Sequence, residues 1–314
     1  MTDLIFRHIP NIHLTAALLF APCLAHAEDH APFLSVDELP NAILYLPAPP
    51  EPFSEQFKSD LYYYQWGKKQ RRTPRGDLAK EDAVHTTENI AKTFSPALGL
   101  TLSPKTTPYI YALIGRVRDT ASQATKKGKK FFNRLRPYAY FNEYSLLPEA
   151  EQKHNPNSSY PSGHASMGWA VALVLTEIAP QAQDEILRRG YEYGNSRIIA
   201  GYHFESDVNA GRMAGSATVA RLHADDEFTL YLKRAKDEYK MLIDTQSAAP
   251  APSPQPQMND AQPDKAEARA QSEANTSTHT SSKNQHSASK RKASKSSKQD
   301  ARISDRSMDL QLPF

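Results

Sequence analysis

The chain has 314 residues and a formal net charge of only +3. So small a charge excludes a strong whole-chain field toward nucleic acid or a membrane surface. The 39% hydrophobic fraction is low for one globular chain, which points to a core-forming part diluted by a polar part.

The N-terminus reads MTDLIFRHIPNIHLTAALLFAPCLAHAEDH. Arg7 precedes an apolar run from Ile12 to Leu24, and Ala25-His26-Ala27 has the small-x-small form of a cleavage site. Residues 1–27 therefore read as a secretory signal peptide cut after Ala27, with a run too short to span a bilayer. Cys23, the only cysteine, is expected to leave with it. The mature chain would then carry no disulfide and no cysteine-based zinc site.

Residues 28–245 read as the folded domain. It begins with extended, Pro-rich ILYLPAPPEPFS, and helical patterns follow. FSEQFKSDLYYYQWGKK, GDLAKEDAVHTTENIAKTFS and TPYIYALIGRVRDTASQATKK carry apolar residues at three- and four-residue spacing. So do GHASMGWAVALVLTEIA, AQDEILRRGYEYGNSRIIAG and DVNAGRMAGSATVARLHAD. Strand-type alternation is hard to find, and the loops are marked by TPRG, SPALGLTLSP and PEAEQKHNPNSSYPSG. The fold class is all-α, one helical bundle. The apolar run Met167 to Ile178 is about a dozen residues, the length of a buried core helix rather than a transmembrane anchor. YYYQW at 62–66 is expected in the core. From residue 246 to 314 the chain turns Pro/Ala/Ser-rich and then Ser/Lys-rich, a composition that stays disordered. Its basic cluster, Lys290 to Lys298, could contact polyanions weakly, although a solvated tail is the plainer reading.

Three blocks carry chemistry. In KKFFNRLRPY, Lys129 and Arg136 stand seven apart, two helical turns, with Pro137 expected to end the helix. A lysine point charge and an arginine fork suit a tetrahedral oxyanion; helix-end cations favoured by the dipole are the bland alternative. In SSYPSGHASMGWA, Ser162 can cap a helix, and Gly163 lets the backbone approach a ligand. The helix N-terminus behind them offers unpaired N–H groups, and His164 stands at the rim. Cap and anion socket are both open readings here. In NSRIIAGYHFESDVNAGR, Arg197 precedes His203, and Asp207 follows four residues later. On a helix His203 and Asp207 would share a face, either as a surface contact or as a carboxylate fixing the histidine tautomer.

Taken in order, Lys-x6-Arg-Pro, Pro-Ser-Gly-His and Ser-Arg-x5-His-x3-Asp resemble the signature of the type 2 phosphatidic acid phosphatase superfamily, which includes the vanadium haloperoxidases. FLSVDELPNAILYLPAPP, TPRGDLAKEDA and ENIAKTFSPALG are similar to its bacterial class A non-specific acid phosphatases. The resemblance covers roughly residues 32 to 240, and the long basic tail departs from it. It implies a periplasmic or extracellular acid phosphatase acting on small phosphomonoesters, with phosphotransferase activity and a homodimer also within the family's range. It implies His203 as nucleophile, Asp207 as its orienting carboxylate and His164 as acid and base. Lys129, Arg136, Ser162, Gly163 and Arg197 would bind the phosphate. No metal or other cofactor is implied. The alternatives are a vanadium-dependent haloperoxidase, a membrane-bound lipid phosphatase, which the missing spans disfavour, and a non-catalytic envelope protein that binds phosphate or polyanions.

Overall fold

A computed structural model describes residues 31–248. The expected signal peptide, Cys23 and nearly all of the expected tail lie outside these residues. Twelve α-helices and no strand occur among the described residues. The first four are α1 (Ala42–Tyr45), α2 (Glu55–Gln70), α3 (Pro74–Glu81) and α4 (Thr87–Leu98). Next come α5 (Pro108–Gln123), α6 (Lys126–Phe132), α7 (Pro137–Tyr140) and α8 (Pro148–Glu151). The last four are α9 (Gly163–Ile178), α10 (Gln183–Ala200), α11 (Glu205–Leu222) and α12 (Asp226–Ala248).

Local chemistry sets many of the boundaries. Ser54, Thr73, Thr86 and Ser162 are N-caps whose side chains accept from the first turn of α2, α3, α4 and α9. Each such cap is worth about 1 kcal/mol. Pro74, Pro108 and Pro137 open their helices, where the missing N–H costs nothing. Gly99 and Gly201 end α4 and α10 in the left-handed region, at φ 66° and 78°.

The apolar segment read as a core helix is α9, at the centre of the bundle. It packs on α5, α10 and α11, and buried positions occur all round it, from Ala165 and Met167 to Leu175 and Ile178. That is the pattern of an internal helix. No described helix is long and apolar enough to cross a membrane. A Cβ at Gly168 would lie 2.2 Å from the Tyr193 ring, so this glycine lets α10 close onto α9. The main core lies among α4, α5, α9, α10 and α12, around Ile90, Phe94, Leu113, Val171, Leu175 and Phe228.

Four local expectations change. The segment ILYL contains one helical turn, α1, capped by Asn41 rather than fully extended. In YYYQW only Tyr64 is core; Tyr62 is 63% exposed, because α2 lies at the surface and turns a single face inward. Lys129 and Arg136 do not share a helix. Helix α6 stops at Asn133, which is left-handed at φ 47°, and Arg136 is extended at the start of α7. Finally, α12 runs past residue 245 to Ala248.

Candidate active site

The site lies where the N-terminus of α9, the C-terminus of α10, the start of α11 and the α6–α7 segment converge. An open cavity of about 230 Å³ is lined there by Lys129, Arg136, Gly163, His164, Arg197 and His203. Ser162 and Asp207 are fully buried behind it. The three blocks, far apart in sequence, therefore meet.

Gly201 ends α10 and turns the chain so that His203 precedes α11 instead of belonging to it. Phe204 is the N-cap and Asp207 is the third residue of the helix. The Asp207 carboxylate accepts from the Phe204 N–H at 2.8 Å and from the Ser159 hydroxyl at 2.6 Å. Its other oxygen accepts from Arg134 at 2.6 Å. His203 Nδ1 stands 3.6 Å from Asp207 Oδ2, too long for an ordinary hydrogen bond. His203 Nε2 is 3.0 Å from Arg136 Nη1.

The three cations differ in how far they are committed. Lys129 donates to the Ser158 carbonyl at 2.7 Å. Arg136 also donates to the Tyr202 and Asn155 carbonyls and the Ser158 hydroxyl. Arg197 is 3% exposed, yet its Nε and Nη1 have no hydrogen-bond partner. Its guanidinium lies 4.6 Å from the Tyr202 ring centre. A buried guanidinium with unpaired N–H groups is costly unless an anion completes it.

Electrostatics agree. Burial, then repulsion by Arg136, lowers Lys129 to about 7 and Arg197 to about 10. Burial holds His203 well below the usual imidazole range, reinforced by Arg136, Lys129 and Arg197 and opposed by the Ser159 carbonyl. His164 is lowered likewise by burial, then by Arg197 and His85, against the Ala83 carbonyl at 3.2 Å. A dianion would relieve all four groups at once.

The start of α9 completes the concavity. Ser162 Oγ accepts from Ala165 N at 3.3 Å, and Ser162 N–H donates to the Asp207 carbonyl at 2.9 Å. The serine thus caps α9 through its oxygen lone pair and ties α9 to α11 through its N–H, while its hydroxyl hydrogen stays available to donate. At Gly163 the protein has room for a Cβ, the nearest atom being Thr125 Oγ1 at 3.4 Å. Packing does not demand this glycine; its bare backbone keeps the cavity side clear.

The description "PAP2 superfamily" matches residues 108–228, a span that contains every residue named above from Lys129 to Asp207. The chain is 41% identical over 211 residues to the non-specific acid phosphatase of Providencia stuartii, covering 67% of this chain and 85% of that protein. With the non-specific acid phosphatase of Salmonella typhimurium the identity is 39% over 213 residues, 68% of this chain and 85% of that one. With the acid phosphatase of Zymomonas mobilis it is 31% over 236 residues, covering 74% and 89%. The chain belongs to the non-specific acid phosphatases of the PAP2 superfamily.

In this acid phosphatase the structure also brings forward residues that sequence reasoning passed over. Arg134 bridges Asp207 and Asp60, at 2.6 and 2.7 Å. Asp60, 1% exposed, also accepts from the Ser206 N–H and hydroxyl. Arg189 donates to buried Asp82, beside the Ser196 hydroxyl of the third block, which ties α10 to the end of α3. His85 and His154 line the cavity as well. Arg134 was hidden in a block already crowded with charge, and the histidines lie in polar loops. None has a local pattern that marks it.

Proposed function

We propose that this protein is a secreted, broad-specificity acid phosphatase that hydrolyses phosphate monoesters through a phosphohistidine and without a metal ion. Its family makes it a phosphoric monoester hydrolase. The observation that carries the mechanism is the buried, unpartnered Arg197 guanidinium facing the same cavity as Lys129, Arg136 and two depressed histidines.

In this reading Lys129, Arg136 and Arg197 hold the non-bridging oxygens, with the Gly163 N–H at the helix terminus. Ser162 holds the turn that aims that N–H and donates its own hydroxyl to the phosphate. The His203 Nε2 lone pair attacks phosphorus while the ester P–O bond breaks. His164 gives its proton to the leaving oxygen. Water then attacks the phosphohistidine, His164 takes its proton, and the N–P bond breaks to release phosphate. Asp207 faces Nδ1 and stabilises the charged ring. Three cations supply the charge stabilisation that a metal gives elsewhere. Among the described residues no three His, Cys, Asp or Glu side chains form a metal-ligating group. An acceptor alcohol in place of water would make the same enzyme a phosphotransferase. Export by the N-terminal segment, a catalytic domain from residue 28 to the end of α12 and a homodimer go with this reading.

The test is an acid-free quench of wild type and His203→Ala during turnover of labelled p-nitrophenyl phosphate. Acid-labile, base-stable label on wild type, with none and no turnover in the variant, is the expected result. Wild-type turnover by His203→Ala would overturn the mechanism. Bromide oxidation with added vanadate, in place of ester hydrolysis, would return the haloperoxidase reading.

A further inference from the structure

The catalytic cavity has a neighbour. A second open cavity, of about 320 Å³, is lined by Lys126, Lys129, Lys130, Asn133, Asn155, Asn157 and Ser158. Lys126 and Lys129 line both cavities. The wall between them is thin: Lys129 Nζ donates to the Ser158 carbonyl at 2.7 Å, and the Ser158 hydroxyl accepts from Arg136 at 3.1 Å. Both cavities are open, and the exposed Lys126 lies on the rim they share, so a molecule seated in the phosphoryl pocket can extend over that rim into the second cavity.

The second cavity is lined only by lysine, asparagine and serine residues. It offers the ammonium groups of Lys126 and Lys130, amides and a hydroxyl, with no carboxylate and no apolar residue. Lys126 and Lys130 form no ion pair among the described residues, whereas their neighbour Lys127 pairs with Asp37 at 3.0 Å. The Asn133 and Asn157 side chains are likewise uncommitted there, while Asn155 Oδ1 is used locally by the Asn157 N–H. Asn133 is held left-handed at φ 47° where α6 ends, which sets its position beside Lys129 and Lys130. Lysines whose charges face an open, carboxylate-free cavity attract an anion, and amides can supply further donors.

We propose that the second cavity is a subsite for a second phosphate, so that the enzyme favours phosphomonoesters carrying another phosphate group over simple alkyl or aryl esters. The proposal rests on the phosphatase reading above. The phosphate that reacts sits with Arg136, Arg197 and His203; the one that does not react sits with Lys130 and the asparagine amides. The leaving group that departs with His164's proton is then itself a phosphate ester, held by its remaining phosphate.

Lys130 lies only in the second cavity and is exposed, so it can be changed without touching the catalytic set. Wild type, Lys130→Gln and Lys130→Glu are assayed at low ionic strength with a sugar bisphosphate, the matching sugar monophosphate and p-nitrophenyl phosphate. The expected result is a higher wild-type kcat/KM for the bisphosphate. Lys130→Glu should lower that value about fivefold or more, mostly through KM, with Lys130→Gln intermediate and added salt shrinking the difference. The two monophosphates should be unchanged. Equal loss on all three substrates means general attraction and overturns the subsite. No loss on any of them overturns it too, while p-nitrophenyl phosphate turnover by wild type leaves the phosphatase reading standing. If wild type hydrolyses no ester at all, it is that underlying reading which fails.

Discussion

Arg136 Nη1 stands 3.0 Å from His203 Nε2. A guanidinium only donates, so the nitrogen it meets carries the lone pair. The proton of the neutral ring is then on Nδ1, the side that faces Asp207 at 3.6 Å. The arginine thus selects the tautomer that the proposed Nε2 nucleophile requires, and in that proposal a bound phosphate draws Arg136 off the nitrogen before attack.

Anion binding should be coupled to proton uptake. Lys129 is lowered to about 7 in the free site, and a bound dianion raises it toward its ordinary value. Below that pH the lysine is already charged; above it, binding must protonate it. Sulfate, a dianion throughout the range, should therefore inhibit best below pH 7. Its inhibition constant should rise by up to about tenfold per pH unit above that. Lys129→Met should bind sulfate more weakly and lose the slope, as competition against p-nitrophenyl phosphate would measure. A pH-independent constant in wild type would contradict the assignment.

His164 should matter in proportion to how poor the leaving group is. An alkoxide needs a proton as the P–O bond breaks, and p-nitrophenolate needs almost none. His164→Asn should cost about 10²–10⁴-fold in kcat/KM, which reports the step that expels the leaving group, with alkyl phosphates and far less with p-nitrophenyl phosphate. Equal losses on both classes would remove the general-acid role.

Arg134 is expected to be a positioning residue. Its guanidinium is the charge partner of two fully buried carboxylates, Asp60 and Asp207. Arg134→Met leaves both uncompensated, which should cost about 3–5 kcal/mol of stability. Thermal melts should show a large fall in Tm, and kcat should fall with it as Asp207 loses its fixed orientation. Adding Asp60→Asn to the variant should recover part of the Tm but not the kcat.

Gly163→Ala tests what the bare backbone is for. The protein tolerates the added Cβ, with 3.4 Å to Thr125 Oγ1. The Tm should therefore stay near wild type, while KM for phosphomonoesters rises about tenfold if a phosphate oxygen packs there. A lowered Tm with unchanged KM would make Gly163 a packing residue.

The all-α bundle and the central helix were legible because helical periodicity, caps and apolar length are local properties. Ser162 illustrates this: a cap before an apolar run was readable, and it caps α9. The three blocks were legible by their residue types and order, and the family match spans them. Local spacing misplaced the pieces, however. Two turns of separation suggested one helix face for Lys129 and Arg136, whereas the chain breaks at Asn133 and delivers Arg136 from an extended segment. An i,i+4 spacing suggested one face for His203 and Asp207, whereas the histidine lies before the helix and the aspartate inside its first turn.

What the sequence by itself determined is which elements form and which polar and charged residue types are on offer at their ends, since these depend on neighbours a few positions away. Tertiary structure alone decided who touches whom. The Arg134–Asp60 pair spans 74 residues, Tyr193 meets Gly168 across two helices, and Lys129 lines two cavities at once. Such contacts are set by how whole helices pack, and no local period encodes them.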